Sequence, residues 1–150
     1  MITAQITGLD QLTERLRELK PALQRRVVRK AAREAMLPVR EAAKANAKRI
    51  DDPATREKVW RNIALQEATK AGRRIGGVVM RVGVRGGASS NQHSTDASGN
   101  PGGDTRHWRY IEFGANGSPA VPFMRPALAQ NIELVKTRFA DTFRAELEKL

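Results

Sequence analysis

The stretch ALQRRVVRKAAREAMLPVREAAKANAKRI, residues 22–50, decides what kind of fold this chain adopts. Pro21 opens it as a helix, because proline lacks only an N–H that a first turn leaves unpaired. Leu23, Val27, Ala31, Ala35, Val39, Ala43 and Ala47 recur every four residues as an apolar ridge. On a wheel of about 100° per residue, Arg25, Arg26, Arg29, Lys30, Arg33, Arg40, Lys44 and Lys48 fall within an arc of roughly 140°. Alanines on the buried side let a sheet or another helix approach closely. The interior Pro38 is expected to kink the helix, since it removes a hydrogen bond and crowds the preceding turn.

Upstream, ITAQIT (2–7) alternates apolar and polar residues and reads as a short strand. Leu9, Leu12, Leu16 and Leu19 then stripe a helix that ends at Pro21. Downstream, DDPAT (51–55) is a turn cluster in which Thr55 is a plausible N-cap. REKVW makes one or two helical turns. NIALQEAT (62–69) and IGGVVMRVGVR (75–85) read as two strands joined by a turn at AGRR, although 56–70 is also compatible with one helix. HWRYIEFG (107–114) reads as a further strand. Leu128, Ile132, Val135, Phe139, Phe143, Leu147 and Leu150 stripe a final helix. The class expected is α+β: one domain over 1–150, with a small, mainly antiparallel sheet packed against the long kinked basic helix and the C-terminal helix.

The formal net charge of the 150 residues is +11, unevenly placed. Residues 1–50 hold 12 Lys/Arg against 5 Asp/Glu, whereas residues 111–150 hold 5 of each. One face is therefore expected to meet a polyanion while another does something else. The absence of cysteine removes disulfides, thiolate nucleophiles and thiolate metal sites. The first residues lack the pattern of a secretory signal, and no apolar run is long enough to span a bilayer, so the expected compartment is the cytoplasm. Residues 86–105, GGASSNQHSTDASGNPGGDT, lack large apolar side chains. They read as a flexible polar loop that a neighbouring subunit orders.

Little here supports catalysis. The only histidines are His93 and His107, and with Asp96 or Asp104 they match no ligand or acid–base spacing. GVRGGAS lacks the Gly-Lys-Ser/Thr ending of a phosphate loop. The chain is therefore read as a non-enzyme without cofactor or metal, a small basic nuclease being the remote exception. The basic helix face is either a solvated surface or a sequence-independent contact with DNA phosphates. Trp108, Tyr110 and Phe113 could stack on single-stranded bases. Alternatively, Trp108 and Tyr110 share one face of a strand while Ile111 and Phe113 share the other.

The remaining peculiarity is YIEFGANGSPAVPFMRPAL (110–128), with three prolines, two phenylalanines and a lone acid ahead of a helix. It resembles the signature of the siphophage tail-completion proteins, which include the lambda minor tail protein Z-like proteins. That signature runs from aromatic-x-Glu-Phe-Gly into Pro-Ala-x-Pro-Phe-x-Arg-Pro-Ala, matched here by Tyr110, Glu112, Phe113, Gly114, Pro119, Ala120, Pro122, Phe123, Arg125, Pro126 and Ala127. GLDQLTERLREL, the long basic helix and GGVVMRVGV agree with the family's earlier elements. IDDPATREKVW departs from it by lacking the glycine of a Pro-Val-Asp-Thr-Gly-x-Leu stretch. The resemblance implies a virion structural protein, assembled in the host cytoplasm, that completes or terminates the tail and joins it to the DNA-filled head. It further implies a homo-oligomeric ring, expected to have six subunits, touching head–tail connector and tail-tube proteins and the DNA backbone without sequence specificity. The alternative is a free, sequence-independent cytoplasmic DNA-binding protein. In the motif, Gly114 and Gly117 allow sharp turns and the prolines stiffen the segment. Glu112, Phe113, Pro119, Pro122, Phe123, Arg125 and Pro126 are then expected at a subunit interface, with Glu112 the partner of Arg125 across it. The competing expectation is that Phe123 fills the chain's own core.

Overall fold

A computed structural model describes residues 8–85 and 100–150. The expected strand at 2–7, His93, Asp96 and residues 86–99 of the polar loop lie outside the described residues. The order of elements is α1 (Asp10–Arg17), α2 (Pro21–Ile50), α3 (Val59–Asn62), β1 (Ile63–Glu67), α4 (Thr69–Ile75), β2 (Met80–Val84), α5 (Trp108–Phe113), α6 (Met124–Ala129) and α7 (Ile132–Glu148). β1 and β2 pair antiparallel: Arg85 N–H donates to Asn62 O and Ala68 N–H to Val79 O, both at 2.8 Å. The fold is α+β, with a small antiparallel sheet and α2 packed against α7.

The chain divides into two compact units. One takes in Met1–Pro38, Leu65–Arg81 and Asn131–Leu150, the other Val39–Ala64 and Val82–Gln130. The core of the first is Val27, Ala31, Phe143 and Leu147, packed on by Leu9, Leu12, Leu16, Leu19, Val28 and Phe139. Fully buried Ala31 leaves room for a second helix against α2. Phe139 and Phe143, one turn apart on α7, stack with centroids 5.7 Å apart. Lys30 flanks this packing with a 2.8 Å bridge to Glu146, whose carboxyl is held down to about 2 by Lys149 first and Lys30 second. The second unit buries Val39, Ala43, Ala47, Val59, Ile63, Phe123 and Ala127.

All six positions of the apolar ridge from Val27 to Ala47 are buried, and α2 continues unbroken through Pro38. Four residues turn a helix by about 400°, so the ridge drifts by about 40° at each step.

Four local expectations are corrected. The strands are joined by helix α4 rather than a tight turn at AGRR. Gly76, at φ +70°, ends that helix, and Gly77 N–H reaches back to Gly72 O at 2.9 Å. Thr55 caps nothing; α3 starts after Lys58, and the Asp51 carboxylate accepts from Val59 and Trp60 N–H, both at 3.2 Å. Residues 107–114 form helix α5, not a strand, with Gly114 N–H bonded to Tyr110 O at 2.8 Å. The final apolar stripe crosses two helices, because Asn131, at φ −115°, leaves helical geometry between α6 and α7.

Candidate functional site

Helix α5 turns Glu112 inward, where it is 1% exposed. Its Oε2 accepts from Phe123 N–H at 2.8 Å and Met124 N–H at 2.9 Å. Its Oε1 accepts from Arg125 N–H at 3.0 Å and Arg125 Nε at 3.1 Å. Arg125 Nη2 completes the clasp on Glu112 O at 2.7 Å. One carboxylate thus serves the unpaired N–H groups where α6 begins, the role an N-cap plays from a neighbouring position. Burial is the largest single influence on Glu112 and pushes its pKa up. The three backbone donors and the guanidinium together outweigh it and hold the carboxyl below its usual range.

The connecting segment is built to close this clasp. Gly114, at φ +81° and ψ 164°, has a backbone reserved for glycine, and a Cβ there would lie 3.1 Å from Ala120 N. Ala115 and Ser118 form an isolated antiparallel bridge, and Val121 N–H returns to Ile111 O at 2.7 Å. Phe123 is 1% exposed, with Trp108 edge-on to it at 6.5 Å and Asn46 Nδ2 donating to its carbonyl at 3.2 Å. The core alternative for Phe123 therefore holds. Glu112 and Arg125, expected to meet across two subunits, already pair within one chain. Helical spacing also replaces the expected strand faces: Trp108 packs on Phe123, while Tyr110 and Phe113, three residues apart, share the outer face of α5.

That outer face is unusual. Tyr110 is 65% exposed, Phe113 62% and Val121 47%, so large apolar side chains face solvent close together. Arg125 stacks over the Phe113 ring at 5.1 Å. A shallow groove of about 600 Å³ runs along Arg106, His107, Arg109, Tyr110 and Phe113. Pro119 and Pro122 are exposed and Pro126 is half-buried.

A second lock holds the residues ahead of α5. Buried Asn62 donates from Nδ2 to Gly103 O at 2.9 Å and Thr105 Oγ1 at 2.7 Å, and accepts Gly102 N–H at 2.7 Å. Lys58 N–H meets Gly102 O at 2.8 Å, so residues 102–105 are held by the chain itself. His107 and Asp104 border a pocket of about 390 Å³ with Asp51, Asp52 and Glu57. Among the described residues no group of acids and histidines is arranged to hold a metal ion.

The eight α2 cations read as one arc differ in exposure and in pairing. Arg25, Arg26, Arg29, Lys30 and Arg33 are exposed, Arg40 and Lys44 are half-buried beside the drifting ridge, and Lys48 is exposed. Arg29 is bidentate to Glu67 at 2.7 and 3.1 Å, Lys30 bridges Glu146, and Arg40 bridges Glu41 at 2.8 Å. The Lys48 ammonium lies 4.2 Å from the Trp60 ring centroid. Among the described residues, Arg25, Arg26 and Arg33 in the first half of α2 and Lys44, Lys48 and Arg49 in the second enter no ion pair.

The profile of a family described as "Bacteriophage HK97-gp10, putative tail-component" matches residues 10–114. The chain belongs to this HK97-gp10-like family of phage tail components. The match runs from α1 through the sheet to the Glu-Phe-Gly end of α5, so the acidic half of the clasp lies within it and the Pro-Phe-x-Arg half beyond it. It bears out the resemblance to phage tail proteins and gives the protein a virion location. No curated protein and no solved structure matches the chain. No helix among the described residues is long and apolar enough to cross a membrane.

Proposed function

We propose that this HK97-gp10-like protein is a structural component of the phage neck. It completes or terminates the tail, joins it to the DNA-filled head, and forms a ring of six copies around the DNA channel. The observation that carries this reading is the tail-component family match over residues 10–114. Two features support it. Six copies of a +11 chain suit a passage for DNA. The exposed Tyr110, Phe113 and Val121, beside the stiff Pro119 and Pro122, suit a repeated subunit contact. The contact is assigned to these five residues, since Glu112 and Phe123 are occupied within the chain. The role is architectural rather than catalytic, and the neighbours are connector and tail-tube proteins.

Size-exclusion chromatography with light scattering, without DNA, tests this. The expected species is a large ring that dissociates when Tyr110 and Phe113 are both replaced by serine, with the melting temperature of the subunit preserved. A monomer or dimer that associates only on DNA refutes the ring and favours a free, sequence-independent DNA-binding protein.

A further inference from the structure

Helix α4 carries charge that the α2 reading leaves unused. Lys70, Arg73 and Arg74 sit at i, i+3 and i+4, all exposed, while Gly72 is buried on the other side. The helix is closed tightly on the loop that follows it: a Cβ on Gly72 would lie 2.7 Å from Gly77 O. The three cations thus project from a fixed turn of chain. Arg73 and Arg74 complement the C-terminal end of the helix dipole, but Lys70 occupies the first turn, where a cation is disfavoured. Helix stability alone does not account for it.

Among the described residues, none of these three cations enters an ion pair. From Ala68 to Arg81 there are four cations and no acid. The acid just before them, Glu67, is already engaged by Arg29. Its carboxyl is held low by that hydrogen bond first, and Arg33 and Arg25 lie near enough to lower it further. The Arg25–Arg29–Arg33 row, one residue per turn, therefore passes the end of β1, and α4 begins two residues later. Residues 65–81 hold no aromatic ring, so neither base stacking nor an aromatic anchor for a protein partner is provided. Clustered cations without rings or acids fit phosphates of a duplex backbone, which Arg holds bidentately and independently of sequence.

We propose that α4 is a phosphate-binding element, with Lys70, Arg73 and Arg74 extending the Arg25–Arg26–Arg33 face of α2 into one DNA-backbone surface. The proposal rests on the DNA-channel part of the reading above. It is tested with the full chain and a fluorescent random-sequence duplex, by anisotropy across a range of salt concentrations. Replacing Lys70, Arg73 and Arg74 by glutamine should weaken low-salt affinity at least about tenfold. It should also lower the slope of log K against log salt by about 2–3, near 0.9 per lost phosphate contact. Replacing Arg25, Arg26 and Arg33 by glutamine should have a similar effect, and both variants should melt and assemble as the parent does. Parental affinity and slope in the α4 variant, or no duplex binding by the parent, overturns the proposal and leaves the tail-structural reading standing. Loss of assembly without loss of DNA binding also overturns it, because α4 would then be a protein contact.

Discussion

Replacing Glu112 with glutamine conserves shape and removes the charge, and so isolates what the clasp contributes. The carboxylate accepts four hydrogen bonds, two at each oxygen, while 1% exposed. Glutamine offers one oxygen, and its NH₂ must then face either two backbone donors or the two donors of Arg125. A hydrogen bond to a charged group is worth about 1.5–3 kcal/mol, and a buried donor left unpaired costs about 1–3 more. Two lost acceptor contacts in a site closed to water give a loss of about 3–5 kcal/mol, the range for breaking a buried charged pair. Arg125 is different: its side chain is 58% exposed, and Arg125→Gln leaves all three backbone donors in place, so it costs about 1 kcal/mol or less. In a chain this size each kcal/mol lowers the melting temperature by about 2–4 °C. Thermal melts by circular dichroism, at concentrations below assembly, should show a fall of about 6–20 °C for Glu112→Gln and a few degrees at most for Arg125→Gln. Equal losses in the two variants, or a Glu112→Gln melt within about 2 °C of the parent, would refute a clasp held by backbone donors.

Three further outcomes follow from the same geometry. Phe123→Ala should destabilise the isolated subunit by about 3–5 kcal/mol, read by denaturant unfolding at concentrations where no ring forms. An unchanged subunit with lost assembly would return Phe123 to the interface. Gly102→Ala places a Cβ 2.0 Å from Lys58 O and must break the Asn62 lock, whereas Gly117→Ala meets open space and carries only the strain of φ +81°. Parallel melts should therefore rank Gly102→Ala well below Gly117→Ala, which costs about 1–2 kcal/mol. Glu146, held at about 2 against an ordinary 4.5, contributes stability that is complete above pH 4.5 and is lost as pH falls towards 2. Glu146→Gln should flatten that part of a stability–pH curve, and an unchanged acid slope would count against the Lys30–Glu146–Lys149 cluster.

The long helix was legible because its signal is redundant: every four-residue step of the ridge from Val27 to Ala47 is apolar, and every one is buried. Short elements lacked that redundancy. HWRYIEFG is short, and its apolar residues would fall on both faces of a strand, so periodicity does not decide it; its helix goes with a Gly114 conformation and a Val121–Ile111 bond that no local pattern encodes. α4 is seven residues of largely polar composition, so it passed for a turn. The clasp was half-legible. Glu112 and Arg125 could be paired from sequence, but an acid beside exposed aromatics reads as a surface group. Its principal partners are three main-chain N–H groups, which have no side-chain signature. Asn62 was hidden for the same reason, since two of its three contacts are to glycine backbone.

The clasp also bears on where this chain can be cut. The family match ends at Gly114, two residues after the acid, and the groups that satisfy Glu112 come nine to eleven residues beyond that point. A fragment trimmed to the matched span would keep a carboxylate shaped for burial and lose its donors, along with the phenyl ring that packs on Trp108. Sequence similarity and physical autonomy have different edges here. The shortest piece that keeps α5 in its native setting extends at least to Ala127, fully buried one turn into α6. Grafts or chimaeras between members of this family should therefore exchange Glu112 and the Phe123–Ala127 segment as a single block.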